Sequence, residues 1–502
     1  MNVPSFVWLI GLPLALSPAI YLIGRLLPVI SHQLSVVSHQ RLALVALAAT
    51  WIPFVQAARD LAVSGPPSFT LGVITLRLDG LSLLLAAVAL GLATLVVLFS
   101  GPYMAGETGE EKYYAMLAAM AGVMIGLGCA ADLFNLWVWF EAMAISSYLL
   151  VAFYRDQPAS LEAGVKYLVQ SAAGSILVLL GVALTLAQVG ALDLDRIRAT
   201  AQSPSPALLA AGALFLIGFG VKIALAPMHT WLPDAHAQAP SGISAMLSGV
   251  VIEAGLVALL RTTAALAGVT VSWGVLLVGF GALNMLVGNL LALRQTQVKR
   301  LLAYSSLSHV GYMLLGLGIA VYAGQAAGAQ GGVFHLLNHG LMKGLAFLAA
   351  GALLYALHIA LGDHSPLTIA DLGGAARRYP LAALALSIAV LGLAGLPPLA
   401  GFMSKWQIFV SGFETRNLLI EALVIFAALN SILSLGYYAP LVNAVYRQQP
   451  SEAVQRGRSL PALMNAPLAA MALAVVVIGV WPGVTQWLTA PAGAAILSAF
   501  GG

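Results

Sequence analysis

The chain has 502 residues, 61% hydrophobic and only 8% charged, with a formal net charge of +4 at pH 7. A soluble domain carries roughly 25% charged residues, so this composition cannot furnish a water-soluble surface, and the small net charge gives no basis for a nucleic-acid partner. The single cysteine, Cys129, excludes a disulfide framework and any Cys-ligated iron–sulfur or zinc site within this chain.

Apolar runs of about 18 or more residues recur along the whole length, the pattern of an all-α polytopic membrane protein. About fourteen spans near the ~20 residues a bilayer needs are predicted. The first six are Phe6–Leu27, Leu42–Ala57, Leu81–Ser100, Tyr114–Ala130, Leu133–Phe153 and Val165–Gln188. The next four are Ala207–Ala226, Ile243–Thr263, Trp273–Leu293 and Leu301–Ala323, followed by Val333–His358, Leu381–Val410, Leu419–Tyr446 and Pro467–Leu488. No Lys or Arg precedes Arg25, so the first run reads as a span rather than a cleavable signal peptide. The alternation in FTLGVITLRLDG, Phe69 to Gly80, predicts a short hairpin. Lys and Arg favour the odd-numbered loops about two to one, through Arg294, Lys299, Arg300, Arg377, Arg378, Arg447, Arg456 and Arg458. The positive-inside rule then places that side in the cytoplasm and both termini outside.

The stretch from Pro206 to Leu260 combines charge with helix breakers. Lys222 lies well inside the seventh run, Pro227 and Pro233 break the chain just beyond it, and the eighth run holds one carboxylate, Glu253. A charge at membrane depth costs about 2.5–3.5 kcal/mol on insertion scales, and broken backbone is tolerated there only where protein or water satisfies it. An ion pathway lined by this stretch is the working expectation. A second lysine-bearing segment interrupted by Pro and Gly, AGLPPLAGFMSKWQIF, lies five spans later. That odd offset gives the two units opposite topology, as in inverted-repeat transporters.

The chain has six lysines and sixteen arginines, and every arginine falls in a loop or at a helix end. Lys222, Lys343 and Lys405 lie deep in apolar runs, with Lys166 just inside another. A desolvated lysine can give up its proton near neutral pH, which arginine cannot. The alternative is that the lysines pair with acids to fix helix packing. Glu141, near the middle of the fifth run, needs a nearby cation, and Lys222 is the natural partner in a coupled pair. A protonated Glu141 bonded to a backbone carbonyl is the other reading. Asp132 reads as the N-cap of that run.

His335, His339 and Lys343 recur at i, i+4 and i+8 along roughly 12 Å of one helix face. The stripe suits a proton relay better than a metal site, because no Cys or carboxylate accompanies the histidines. His309 reads either as structural or as a bridge to the central helices. His229, Asp234 and His236 are expected to serve access or gating. No nucleotide-binding fingerprint, P-loop or cofactor ligand set is found, so no cofactor is expected in this chain and catalysis by the chain alone is disfavoured.

Five motifs in fixed order carry a family resemblance. They are WFEAM around Glu141, VKIALAPMHTWLPDAHAQAPSGISAML from Val221, VKRLLAYSSLSHVGYMLLG from Val298, HLLNHGLMKGLAFL from His335 and GLPPLAGFMSKWQIF from Gly395. From about Leu81 to Tyr446 the chain resembles the antiporter-like membrane subunits of respiratory complex I, with their relatives in Mrp-type cation/proton antiporters and membrane-bound hydrogenases. The resemblance implies about fourteen transmembrane helices with two inverted five-helix repeats and broken helices 7 and 12. It divides the chain into 1–112, three helices and the hairpin; 113–265 and 266–446, the repeats; and 447–502, helix 14. It further implies that the long lateral helix of the largest branch is missing.

By position, the resemblance makes Glu141 and Lys222 the first pair of a proton-translocating axis, His335, His339 and Lys343 its middle, and Lys405 its terminal lysine. His309 and Lys166 are secondary candidates. Glu253 stands where many members have lysine, which inverts the local charge and leaves Lys222 between two acids, supplies a protonatable acid in place of a base, or favours a cation such as sodium. The implied protein is a non-catalytic, proton-translocating subunit of an oxidoreductase complex resembling NADH:quinone oxidoreductase, in a prokaryotic plasma membrane or an organelle's energy-transducing membrane. Its partners would be lipid, other membrane subunits and protons, with Na+ or K+ as the alternative ion. The rival readings are a sodium or potassium/proton antiporter module and a non-conducting anchor for peripheral subunits.

Overall fold

The computed structural model describes residues 3–30, 39–72, 74–269, 272–447 and 449–501. Among these, thirteen helices are long and apolar enough to cross a bilayer, and the protein is an all-α integral membrane protein. In chain order come α1 (Ser5–Ile30), α2 (His39–Ser64), α3 (Gly80–Met104), α4 (Glu110–Cys129), α5 (Leu133–Val151), α6 (Pro158–Val189), α7 (Leu194–Thr200), α8 (Pro206–Ile223), α9 (Leu232–Gln238) and α10 (Ser241–Met246). One π turn, Leu247–Val251, joins α10 to α11 (Ile252–Ala265). After these are α12 (Trp273–Ala292), α13 (Val298–Ala323), α14 (Ala326–Leu357), α15 (Pro380–Ala394), α16 (Ala400–Glu414), α17 (Leu418–Val445), α18 (Glu452–Arg456), α19 (Ala462–Val480) and α20 (Gln486–Phe500). Before α3, the alternating segment forms an antiparallel hairpin of β1 (Ser68–Leu71) and β2 (Ile74–Arg77), with Ser68 opposite Arg77 and Leu71 opposite Ile74.

Local chemistry sets the helix ends. Asp79 and Ser82 form a capping box at the start of α3, and the Asp132 side chain accepts from the Asn135 N–H to cap α5. Glu110 and Glu111 occupy the first turn of α4, where the helix dipole favours anions. Pro158 opens α6, and Gly190, at φ 71°, closes it.

Three predicted spans are corrected. The seventh ends at Ile223 rather than Ala226, because Ala224 takes a left-handed φ of 57° that a helix cannot continue through. The twelfth, expected from Leu381 to Val410 as a run interrupted by Pro and Gly, runs from Pro380 to Glu414 as two 15-residue helices, α15 and α16, parted at Gly395 (φ 86°) and the Pro397-Pro398 pair. At 1.5 Å per residue each is roughly 22 Å long, shorter than a ~30 Å hydrocarbon core. The fourteenth starts at Ala462 and stops at Val480; Trp481 and Pro482 break it, and α20 comes next.

By internal packing, Met1–Ile223, Val250–Val271 and Ala494–Gly502 form one compact unit, and Ala224–Gly249 with Ser272–Gly493 the other. In the first unit a half-buried ion pair ties three helices. Arg261 on α11 donates to both oxygens of Asp79 at 3.0 Å, to Ser82 Oγ at 2.8 Å and to the Gly128 carbonyl at 2.6 Å. Burial alone pushes the Asp79 carboxyl up, but the charge and hydrogen bonds of Arg261 outweigh it and hold the group below the usual carboxylate range. In the second unit, α12 and α13 approach so closely that a Cβ on Gly281 would lie 2.8 Å from the Gly311 carbonyl oxygen. Small residues there let the two backbones touch without lipid between them.

Candidate functional site

The first unit holds Lys222, Glu141 and Glu253. Lys222 is in the last turn of α8 and only 1% exposed, although its run ends just beyond it. Its ammonium donates to the Tyr167 hydroxyl at 2.8 Å and lies 4.5 Å from the Tyr167 ring centroid and 5.9 Å from that of Phe140. Aromatic faces of this kind stabilise a cation through the ring quadrupole. Glu141 is half-buried on α5, and the Lys222 hydrogen bond goes to Tyr167 instead. Glu253 is fully buried on α11. Two residues on, Gly255 packs α11 against the Lys222 stem, since a Cβ there would meet Lys222 Cγ at 3.3 Å.

In the second unit the histidines and two lysines converge. His309 Nδ1 on α13 lies 3.1 Å from His335 Nε2 on α14, and His335 Nδ1 lies 2.9 Å from Ser404 Oγ on α16. The His309 ring also lies 5.5 Å from that of His339. A neutral imidazole bonded at both nitrogens donates from one and accepts at the other, so it can take a proton on one side and release it on the opposite side. Lys343, one turn beyond His339, donates to Ser305 Oγ and, at 2.8 Å, to the Leu302 carbonyl.

Lys405 is next to Ser404 in the chain and is 2% exposed. It donates to the Leu393 carbonyl at 2.8 Å, the Ala394 carbonyl at 3.4 Å and Ser431 Oγ at 2.8 Å, with its ammonium 4.3 Å from the Tyr312 ring centroid. Both carbonyls end α15, where the break before α16 leaves them without helical partners.

Lys166 lies apart from these sets. It is on the exposed face of α6, 2.7 Å from Glu162 one turn earlier, with 47% of its side chain exposed. Lys299, counted in the sequence as a loop charge, is 6% exposed at the start of α13 and donates to the Ala239 carbonyl, which corrects that assignment. His236 is fully buried against the Phe347 ring, and neither ring nitrogen has a hydrogen-bond partner among the described residues. Asp234 pairs with Arg300 at 2.6 Å. Among the described residues no three His, Cys, Asp or Glu side chains converge to hold a metal ion.

Two contributors were missed from the sequence. Asn284, fully buried on α12, accepts from the Ala226 N–H at 2.8 Å and so holds the backbone just past the α8 break. Tyr167, the acceptor for Lys222, sits one residue after Lys166. The signal for Asn284 was an amide which, with Asn289, interrupts an otherwise apolar run; Tyr167 gave none that distinguished it from a packing aromatic.

Residues 130–434 match the family described as NADH:quinone oxidoreductase/Mrp antiporter, TM, and residues 70–114 match NADH-Ubiquinone oxidoreductase (complex I), chain 5 N-terminus. The chain is 34% identical over 427 residues to F(420)H(2) dehydrogenase subunit N of Methanosarcina mazei, which covers 82% of this chain and 83% of that one. Among solved structures it is similar to a chain of the membrane-bound sulfane sulfur reductase (MBS), an archaeal respiratory membrane complex, with a TM-score of 0.86 and 28% identity over 99% of this chain and 98% of that one. It is also similar to a chain of respiratory complex I from Thermus thermophilus, with a TM-score of 0.75 and 29% identity over 95% and 98% of the two chains.

Proposed function

Because the chain belongs to the NADH:quinone oxidoreductase/Mrp antiporter family of membrane subunits, we propose that it translocates protons as one membrane subunit of a multisubunit complex. Its buried lysines and histidines take up and release the proton, and the driving chemistry belongs to other subunits. One contrast carries this reading. Lys222, Lys299, Lys343 and Lys405 are all buried, and each donates to hydroxyl or carbonyl oxygens rather than to a carboxylate. The arginines Arg77, Arg261 and Arg300 instead pair with Asp195, Asp79 and Asp234.

A lysine kept for packing would be paired with an acid, because a lone buried charge costs several kcal/mol. Neutral oxygens accept from an ammonium and tolerate the uncharged amine, so both protonation states can be held in one geometry. The two-sided hydrogen bonding of His335 supports transfer within the second unit. Moving one charge against 100 mV needs about 2.3 kcal/mol, within what rearranging buried charges supplies. On the sidedness reading, the loops bearing Arg294, Arg377, Arg378, Arg447, Arg456 and Arg458 face the cytoplasm.

The test uses sealed vesicles carrying the assembled complex. Lys222→Ala and Glu141→Gln should each abolish proton movement while the subunits still co-purify. Normal proton movement in either variant contradicts the proposal, and transport that requires sodium would move the assignment to a cation/proton antiporter.

A further inference from the structure

An open cavity of about 540 Å³ lies outside the lysine and histidine sets, between the N-terminal half of α14, the middle of α16 and the bend from α19 into α20. We propose that it binds the glycerol-ester region of a bilayer phospholipid, with an acyl chain in its apolar part. Three amides reach it from three elements: Gln330 from α14, Gln407 from α16 and Gln486 from the start of α20. None of the three hydrogen-bonds within the described residues. The two hydroxyls of the wall are already used as donors, Thr485 to the Pro482 carbonyl at 2.9 Å and Thr489 to the Thr485 carbonyl at 3.2 Å. The free donors in the cavity are therefore carboxamide N–H groups, which in hydrocarbon demand acceptors.

No charged side chain lines the cavity. A phosphate finds no cation there and an ammonium finds no anion, so the fitting ligand offers neutral acceptors and hydrocarbon, as an ester-linked acyl chain does. The depth agrees. Trp406 lines the cavity, and Trp481 and Trp487 are the chain neighbours of its lining residues Pro482 and Gln486; the three are 55%, 68% and 55% exposed, and tryptophan concentrates at the level where glycerol esters lie. Pro482 ends α19 and turns the chain so that α20 roofs the cleft. The inner wall, Phe334 and Met403, is apolar and accommodates the chain. The volume lies in the range of sites that enclose a small ligand. The site is independent of whether the protein moves protons.

The assembled complex is placed in bilayers of phosphatidylethanolamine and phosphatidylglycerol containing a trace of phosphatidylethanolamine with a photoreactive diazirine near the ester end of one acyl chain. After illumination, adducts should concentrate on the peptides holding Trp406 to Val410 and Gln486 to Ala490. Ala490→Trp, which fills the space, and Gln407→Leu, which removes an amide of similar volume, should each cut this labelling at least fivefold. Labelling of the lipid-facing stretch from Ile176 to Leu180 on α6 should stay constant, which shows that the fold is intact. Equal labelling of the cavity peptides in both variants overturns the proposal, as does a cross-link showing that a neighbouring polypeptide fills the site instead.

Discussion

Lys405 separates a proton carrier from a packing cation. Its ammonium spends its protons on Leu393 O, Ala394 O and Ser431 Oγ, and the Tyr312 ring lies 4.3 Å away. In Lys405→Met, Ala394 O keeps the 2.8 Å hydrogen bond from Ser431, so the Leu393 carbonyl is the group left short of a donor. An orphaned buried acceptor costs about 1–3 kcal/mol, partly offset because no lone charge then needs to be held in the bundle. The variant should fold and assemble. Lys405→Arg keeps the cation, the donors and the aromatic contact, but a guanidinium does not release its proton in a protein. If Lys405 only fastened the broken helix, arginine would restore function; as a carrier it must fail in both variants. Proton uptake by vesicles, normalised to assembled complex, should fall at least tenfold in each, about 1.4 kcal/mol on the limiting barrier. Uptake by Lys405→Arg within twofold of wild type refutes the argument.

Other variants test the remaining parts. Tyr167→Phe keeps the ring beneath Lys222 but removes the acceptor of a charge-assisted hydrogen bond worth about 1.5–3 kcal/mol, so transport should fall about tenfold or more with assembly unchanged. Asp79→Asn removes the charge facing Arg261, which keeps Ser82 and Gly128 as acceptors, and should cost about 1.5–3 kcal/mol, read as a lower unfolding temperature. Because folding lowers the Asp79 pKa, the wild-type contribution is full above the ordinary carboxylate range and is lost as pH falls through the depressed folded value. That acid-range loss should be absent from Asp79→Asn. Ala224→Gly relieves about 1–2 kcal/mol of left-handed strain against about 0.5–1 kcal/mol of added chain entropy, so thermal stability should hold or rise; a clear fall would show that the Ala224 side chain matters more than its backbone.

Charge against an apolar background was legible from the sequence, and the environment of each charge was not. Lys222, Lys343 and Lys405 stand out in apolar runs because each violates the composition around it, and the structure buries all three. Lys299 lies beside Arg300 at a helix start, where hydropathy cannot tell a solvated loop charge from one turned inward. The structure separates them: Arg300 reaches Asp234, while Lys299 is buried against the Ala239 carbonyl. Lys166 does lie within a span, Pro158–Val189, but on its exposed face, where Glu162 four residues earlier is its i,i+4 partner.

Helix breaks were partly legible. Pro397 and Pro398 marked the division of the twelfth run, whose overall length concealed that each half is shorter than a hydrocarbon core. The α8 break depends on Ala224 in a conformation typical of glycine, and Asn284, sixty residues away in the chain, helps to hold that backbone in place. No local pattern encodes such a contact. The motifs around Glu141, Val221 and His335 specified the family because they join charge, helix breakers and spacing, where composition alone yielded only a membrane protein.

Lys343→Met offers the most direct measurement: the number of protons carried per turnover of the assembled complex in sealed vesicles. With the driving reaction still running and the subunit present at wild-type level, the number should drop by this subunit's share. An unchanged number would show that protons cross without this buried lysine, and the assignment of its neighbours as carriers would lose its basis.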